Sequence, residues 1–179
     1  MVSMFSKDVE DLLNDAQRKL GEQVLLESEK GTTWDRRARI LFYGTLVKVF
    51  KERYNMDERA AEHYIYVEGI NPFEGKKGGT IFGSNLYPDA IMVCDDGLKI
   101  AIELDHGHSG SRVKNTLTKA GMLKLVGEFD KIAVFFFAYP PLNPENINKG
   151  KAEETVLEFF RKNLSTLLLP VRPRTSFGL

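Results

Sequence analysis

The sequence predicts an α/β fold, a mixed central sheet flanked by helices, and three observations predict it. Helical apolar spacing fills the first third of the chain. Strand-like alternation then takes over around a turn at Asp95-Asp96-Gly97. Finally, a continuous apolar run of strand length, Lys131 to Ala138 (K-I-A-V-F-F-F-A), follows a further helical stretch, as expected of a strand buried on both faces.

Ser6-Lys7-Asp8-Val9-Glu10 resembles a capping box, and a helix is predicted from there to about Glu29. Its apolar positions are Val9, Leu12, Leu13, Leu20, Val24 and Leu25. Gly31-Thr32-Thr33 breaks it, and a second helix capped by Thr32 or Thr33 runs to Tyr54-Asn55. A helical turn across Asp57 to His63 and a brief strand at Tyr64 to Glu68 come next. Gly69 to Gly79 is the longest irregular stretch, placed where a substrate-contacting loop would serve.

Thr80 to Gly83 reads as a strand, and Asp89 to Cys94 and Leu98 to Asp105 as a hairpin. Ser111 to Val126 reads as a helix with Val113, Leu117, Ala120 and Gly121 inward. Pro140-Pro141 ends the buried strand. A helix near Lys149 to Asn163 and an edge strand at Leu167 to Val171 complete one domain spanning 1–179, with its core at about 34–138.

The register of the hairpin decides where its acids lie. A two-residue loop at Asp96-Gly97 opposes Asp89 to Leu104 and buries a charge among hydrocarbon. A three-residue loop with Gly97 left-handed opposes Asp89 to Glu103 instead. Ala90, Met92, Cys94, Leu98, Ile100, Ile102 and Leu104 then form a pure core face. The other face carries Asp89, Ile91, Val93, Lys99, Ala101, Glu103 and Asp105, apolar in the middle with its acids at one end. Converging carboxylates repel and raise one another's pKa unless a cation neutralises them, and all-oxygen ligands suit Mg²⁺ or Mn²⁺. The alternative is that Asp89 caps a strand while Glu103 and Asp105 face solvent.

Composition bounds the function. The chain has 179 residues, 42% hydrophobic and 28% charged, which places it among soluble globular proteins. Its apolar runs fall far short of the roughly 20 residues of a membrane helix, and its N-terminus lacks a signal-peptide pattern, so a cytoplasmic protein is expected. The lone Cys94 excludes an internal disulfide and reads as a small core residue. Net charge is zero, so any nucleic-acid signature must be local. Between Trp34 and Asn55 stand six basic residues, Arg36, Arg37, Arg39, Lys48, Lys51 and Arg53, against the acids Asp35 and Glu52. Lys76-Lys77 and Arg172-Pro-Arg174 add further basic points, although charged helix faces are commonly just solvated.

Helix, three strands, helix, strand, with Pro88-Asp89 opening the second strand and Glu103-Leu104-Asp105 closing the third, resembles the PD-(D/E)xK nuclease superfamily of restriction endonucleases and Holliday-junction resolvases. The likeness covers roughly Trp34 to Ala138. It implies a restriction-endonuclease-like αβββαβ core and a divalent-metal-dependent endonuclease acting on DNA. It also implies metal binding by Asp89, Glu103 and the Leu104 carbonyl, to which Asp105 adds a ligand where the family has a cation, and, for double-strand cutting, a homodimer, with the N-terminal helix as its expected interface. Glu52 is a weak candidate for a further ligand.

The family's usual lysine is replaced by Asp105, so Lys114, or less directly Lys119, on the following helix is expected to reach back toward the acids. Phosphodiester hydrolysis asks for an acceleration on the order of 20 kcal/mol, of which acid-base chemistry supplies roughly 3 to 6, leaving the rest to a metal. Arg112, Lys119, Arg36, Arg37, Lys76 and Lys77 are the expected phosphate contacts. Two other classes stay open. One is a nuclease-like fold that has lost catalysis and only binds nucleic acid or protein. The other is a metal-dependent hydrolase of a different substrate using His106 and His108 as ligands.

Overall fold

The computed structural model describes residues 3–27 and 31–175. A 3-10 turn at Ser6–Asp8 leads into α1 (Val9–Gly21), followed by α2 (Gly31–Tyr54), α3 (Glu58–Ala61) and the short strand β1 (Ile65–Val67). Next come β2 (Gly79–Ile81), β3 (Ser84–Leu86), β4 (Ala90–Val93) and β5 (Lys99–Gly107). The chain continues through α4 (Gly110–Val126), β6 (Lys131–Ala138), α5 (Lys151–Leu164) and β7 (Thr166–Val171). The five-stranded sheet has the order β1-β4-β5-β6-β7. β1 and β5 both run antiparallel to β4, whereas β6 and β7 run parallel to β5, which makes the sheet mixed. Among the described residues, no helix is long and apolar enough to cross a membrane.

Strand alternation divides the core between the two sides of the sheet. Ile100, Ile102, Phe135 and Phe137 pack with Trp34, Phe42 and Phe50 of α2 and with Leu12 and Leu13 of α1. Ala101, Ile132, Val134 and Phe136 pack with Val113, Leu117 and Leu123 of α4. Each fully buried Phe or Leu contributes about 1.5 to 3 kcal/mol by leaving water. β6 is buried on both faces, as its apolar run predicts.

The hairpin takes the three-residue turn. Cys94 N–H donates to the Leu98 carbonyl (2.9 Å), Gly97 N–H donates to the Cys94 carbonyl (2.9 Å), and Gly97 sits at φ +85°, where a side chain would be strained. The paired residues are Ala90 with Ile102 and Val93 with Lys99, so one step further Asp89 lies across from Glu103. Asp95 and Asp96 also fasten the N-terminus, accepting from Met4 N–H (2.7 Å) and Ser6 N–H (3.0 Å).

Several expectations are corrected. Ser6 does not cap α1 with its side chain: it opens the 3-10 turn ahead of the helix, whose N-cap position falls to Asp8, and its N–H donates to Asp96 in the hairpin turn. The first helix ends at Gly21 rather than near Glu29, where the chain leaves to bridge Val24 to Arg174. α2 already includes Gly31, so the backbone at Thr32 and Thr33 is inside the helix, not at its cap. The apolar stripe of α1 is no free interface either: Val9, Leu12, Leu13 and Leu20, with Leu25 beyond the helix, are buried in the chain's own core. The strand predicted at Thr80 to Gly83 does not join the sheet but pairs with β3 in a separate ribbon, and β1 takes the edge position.

Candidate functional site

β5 outruns β4 by enough to leave its last residues uncovered on one side, and the acids gather there. Asp89 is held by two elements. Arg39 of α2 donates to its Oδ1 from both Nε (3.1 Å) and Nη2 (2.8 Å), and Leu104 N–H donates to its Oδ2 (2.9 Å). Alternate residues of β5 turn their backbone groups toward β4: the Leu98 and Ile102 carbonyls accept from Cys94 and Asp89 N–H groups. The Leu104 carbonyl, two residues on, faces the same way, into the space where β4 has ended.

Glu103 points to the α4 side and is 1% exposed. Its Oε2 accepts from Lys119 Nζ at 2.6 Å, while its Oε1 is buried with no hydrogen-bond partner. Burial pushes this carboxyl up to about 7, Lys119 opposes the rise, and the charge on Asp89 adds to it. Lys119 is the other half of the pair. Burial disfavours its charge, but Glu103, joined by Asp89 and Asp105, holds the ammonium above its ordinary range.

Asp105 is fully engaged. Its Oδ1 accepts from Arg112 Nε (3.2 Å), Arg112 Nη2 (2.8 Å) and His106 N–H (2.8 Å), and its Oδ2 from Thr116 Oγ1 (2.5 Å). Three carboxylates therefore face three cations, Arg39, Lys119 and Arg112, each from a helix. The mutual repulsion expected of bare acids is relieved by the chain itself.

Of the two lysines expected to reach back toward the acids, Lys119 does so and Lys114 does not. Lys119 shares a stripe of α4 with Thr116, Ala120 and Leu123, the stripe that meets the sheet. Lys114 falls on a different side, where with Gly110, Val113 and Leu117 it lines a cavity of about 530 Å³ closed by Ile147, Ala152 and Val156. The two histidines do not join the acids. The His106 ring stacks on Trp34 at 4.0 Å on the α2 side of the sheet, and burial lowers its pKa. His108 pairs through Nε2 with Glu27 and through Nδ1 with the Pro140 carbonyl (2.8 Å). Glu52 is likewise elsewhere, bound to Lys19.

Of the expected phosphate contacts, Arg112 and Lys119 lie at the acids. Arg36 is exposed, Arg37 donates to the Leu26 carbonyl (3.0 Å), and Lys76 and Lys77 pair with Glu128 and Glu68. Arg39, one of the six basic residues between Trp34 and Asn55, pairs with Asp89 rather than lining a solvated face, and its spacing before Phe42 and Leu46 puts it on the inward stripe of α2.

Among the described residues, no three acidic, histidine or cysteine side chains group closely enough to hold an ion by themselves. Two carboxylates with a carbonyl and retained water are nevertheless the usual equipment of a Mg²⁺ site. Glu103 Oε1, buried and unpartnered beside Asp89, fits such a ligand. The chain matches no family model, no curated protein and no solved structure.

Proposed function

We propose that the chain is a divalent-metal-dependent endonuclease that hydrolyses phosphodiester bonds in DNA, built on a restriction-endonuclease-like αβββαβ core formed by α2, β1, β4, β5, α4 and β6. The observation that carries this reading is Glu103 Oε1. A buried carboxylate oxygen with no donor is costly unless a cation takes it, and this one lies on β5 opposite Asp89.

Asp89, Glu103 and the Leu104 carbonyl would hold Mg²⁺ or Mn²⁺. Such an ion polarises a phosphate oxygen and makes water a usable nucleophile near neutral pH. The remaining roles fall to the chain. Lys119, fixed on Glu103, would place an ammonium next to the reacting phosphate, the role that the resemblance gives to the motif lysine. Asp105, itself saturated, aims the guanidinium of Arg112, whose side chain is half exposed, so that it can offset the charge that grows on the phosphoryl oxygens. Arg39 holds the Asp89 carboxylate in place through two hydrogen bonds to its Oδ1.

A second reading rests on the three ion pairs. Acids already neutralised by Arg39, Lys119 and Arg112 would suit a fold that binds nucleic acid without cutting it. Supercoiled plasmid incubated with purified protein and Mg²⁺ or Mn²⁺ separates the two. Nicking by the native chain that is abolished in Asp89→Ala and Glu103→Ala supports the nuclease. Nicking that survives both substitutions excludes this site. Salt-sensitive DNA binding without nicking favours the second reading.

A further inference from the structure

The ribbon of β2 and β3 ends in a two-residue turn, Phe82-Gly83, whose φ values are +51° and +72°. Positive φ at both positions defines the hairpin turn that Asn-Gly or Gly-Gly make cheaply, and a bulky side chain at its first position is a backbone outlier. Phe82 is also 95% exposed, more than any other large apolar residue described. It therefore contributes neither turn chemistry nor core packing to the fold, and it occupies a strained position while wetting a whole phenyl ring. Such outliers mark residues kept for an interaction.

The arm carrying it is firmly seated. A Cβ added to Gly79, at the base of β2, would meet the Val126 carbonyl oxygen at 2.8 Å, so the ribbon lies tight against α4, the helix that supplies Lys119 and Arg112. From β3 the chain passes through exposed Tyr87 straight to Pro88 and Asp89. The flanks of the tip, Thr80, Ser84 and Asn85, are polar and exposed, so Phe82 is a single projecting ring rather than part of an apolar patch. An isolated ring on a polar, rigid arm suits stacking on a nucleobase better than burial in a protein interface, which calls for a contiguous apolar surface.

We infer that the Phe82 arm is a nucleic-acid contact, its ring stacking on an unpaired base or wedging between base steps of the bound strand. This inference rests on the phosphodiesterase reading of the Asp89 and Glu103 site.

The test is fluorescence anisotropy of the full chain with a labelled single strand and its matched duplex, Ca²⁺ replacing Mg²⁺, for the native protein, Phe82→Ala, Phe82→Asn and Phe82→Trp. Alanine and asparagine are expected to weaken binding by about fivefold to a hundredfold, and tryptophan to retain it. Phe82→Asn should melt no lower than the native chain, because Asn accepts positive φ more readily, so its loss of binding cannot be blamed on misfolding. Unchanged affinity in Phe82→Asn, alongside native binding and plasmid nicking, overturns the arm and leaves the nuclease reading standing. A native chain that binds neither strand form nor duplex overturns both. A shift in self-association on sedimentation without a change in DNA affinity would make Phe82 a contact between copies and likewise overturn the inference.

Discussion

Replacing Glu103 by Gln tests the electrostatics of the site without changing its shape. In the folded chain this carboxyl ionises at about 7 rather than at its ordinary 4.5, chiefly because it is buried. Between those values the folded state binds more protons than the unfolded one, so stability falls as pH rises through the window. Below it both states are protonated and the group contributes nothing. Above it both are ionised and the full penalty applies, about 3 kcal/mol at roughly 1.4 kcal/mol per pH unit. For a chain of this size that corresponds to roughly 6 to 12 °C in melting temperature. Thermal melts of the native chain and Glu103→Gln in EDTA, from about pH 5 to about pH 8, should therefore diverge, the native chain losing stability relative to the variant. Adding Mg²⁺ should close the gap at the alkaline end by giving Glu103 a cation. Parallel curves across the window would refute the account of Glu103 as a carboxylate held without enough compensation.

Lys119→Ala should lower plasmid nicking by about a hundredfold or more, the loss expected when one positioned charge leaves a reacting centre, while Lys114→Ala should nick like the native chain. Equal activity of the two variants would reverse the assignment. Arg39→Gln removes a charged partner that makes two hydrogen bonds to one oxygen of a largely buried carboxylate and should cost about 1 to 2 kcal/mol in urea denaturation with EDTA. Saturating Mg²⁺ should recover most of that loss, and a loss indifferent to Mg²⁺ would place Asp89 outside the metal shell. Tyr139→Phe should cost about 1 to 3 kcal/mol, because the Tyr139 hydroxyl both accepts from Trp34 Nε1 (2.9 Å) and donates to the Leu25 carbonyl (2.8 Å) in the core. A neutral effect on denaturation would show those groups finding other partners.

The hairpin register was legible because two independent constraints agreed. Turn chemistry at Gly97 and the alternation of apolar residues both demand that Asp89 face Glu103. The ribbon of β2 and β3 was half hidden for the opposite reason, since Phe82 gives no turn signal where Asn, Asp or Gly would. Choosing between Lys114 and Lys119 needed the rotational phase of α4. Apolar residues ring much of that helix because it packs on the sheet and also on α5, where Gly121 meets Phe160 and Leu164. Thr116, Ala120 and Leu123 carried the missing phase, and Lys119 travels with them. Arg39 and Asp89 lie 50 residues apart, and no local pattern announces a pair of that kind.

The central claim is that Asp89 and Glu103 share a divalent ion, and the most direct measurement is anomalous scattering from a crystal of the native chain grown with Mn²⁺. A peak bonded to Glu103 Oε1 and an Asp89 oxygen, near the Leu104 carbonyl, is the predicted result. Absence of any peak there at saturating Mn²⁺, with the Arg39 and Lys119 pairs intact, would contradict the account.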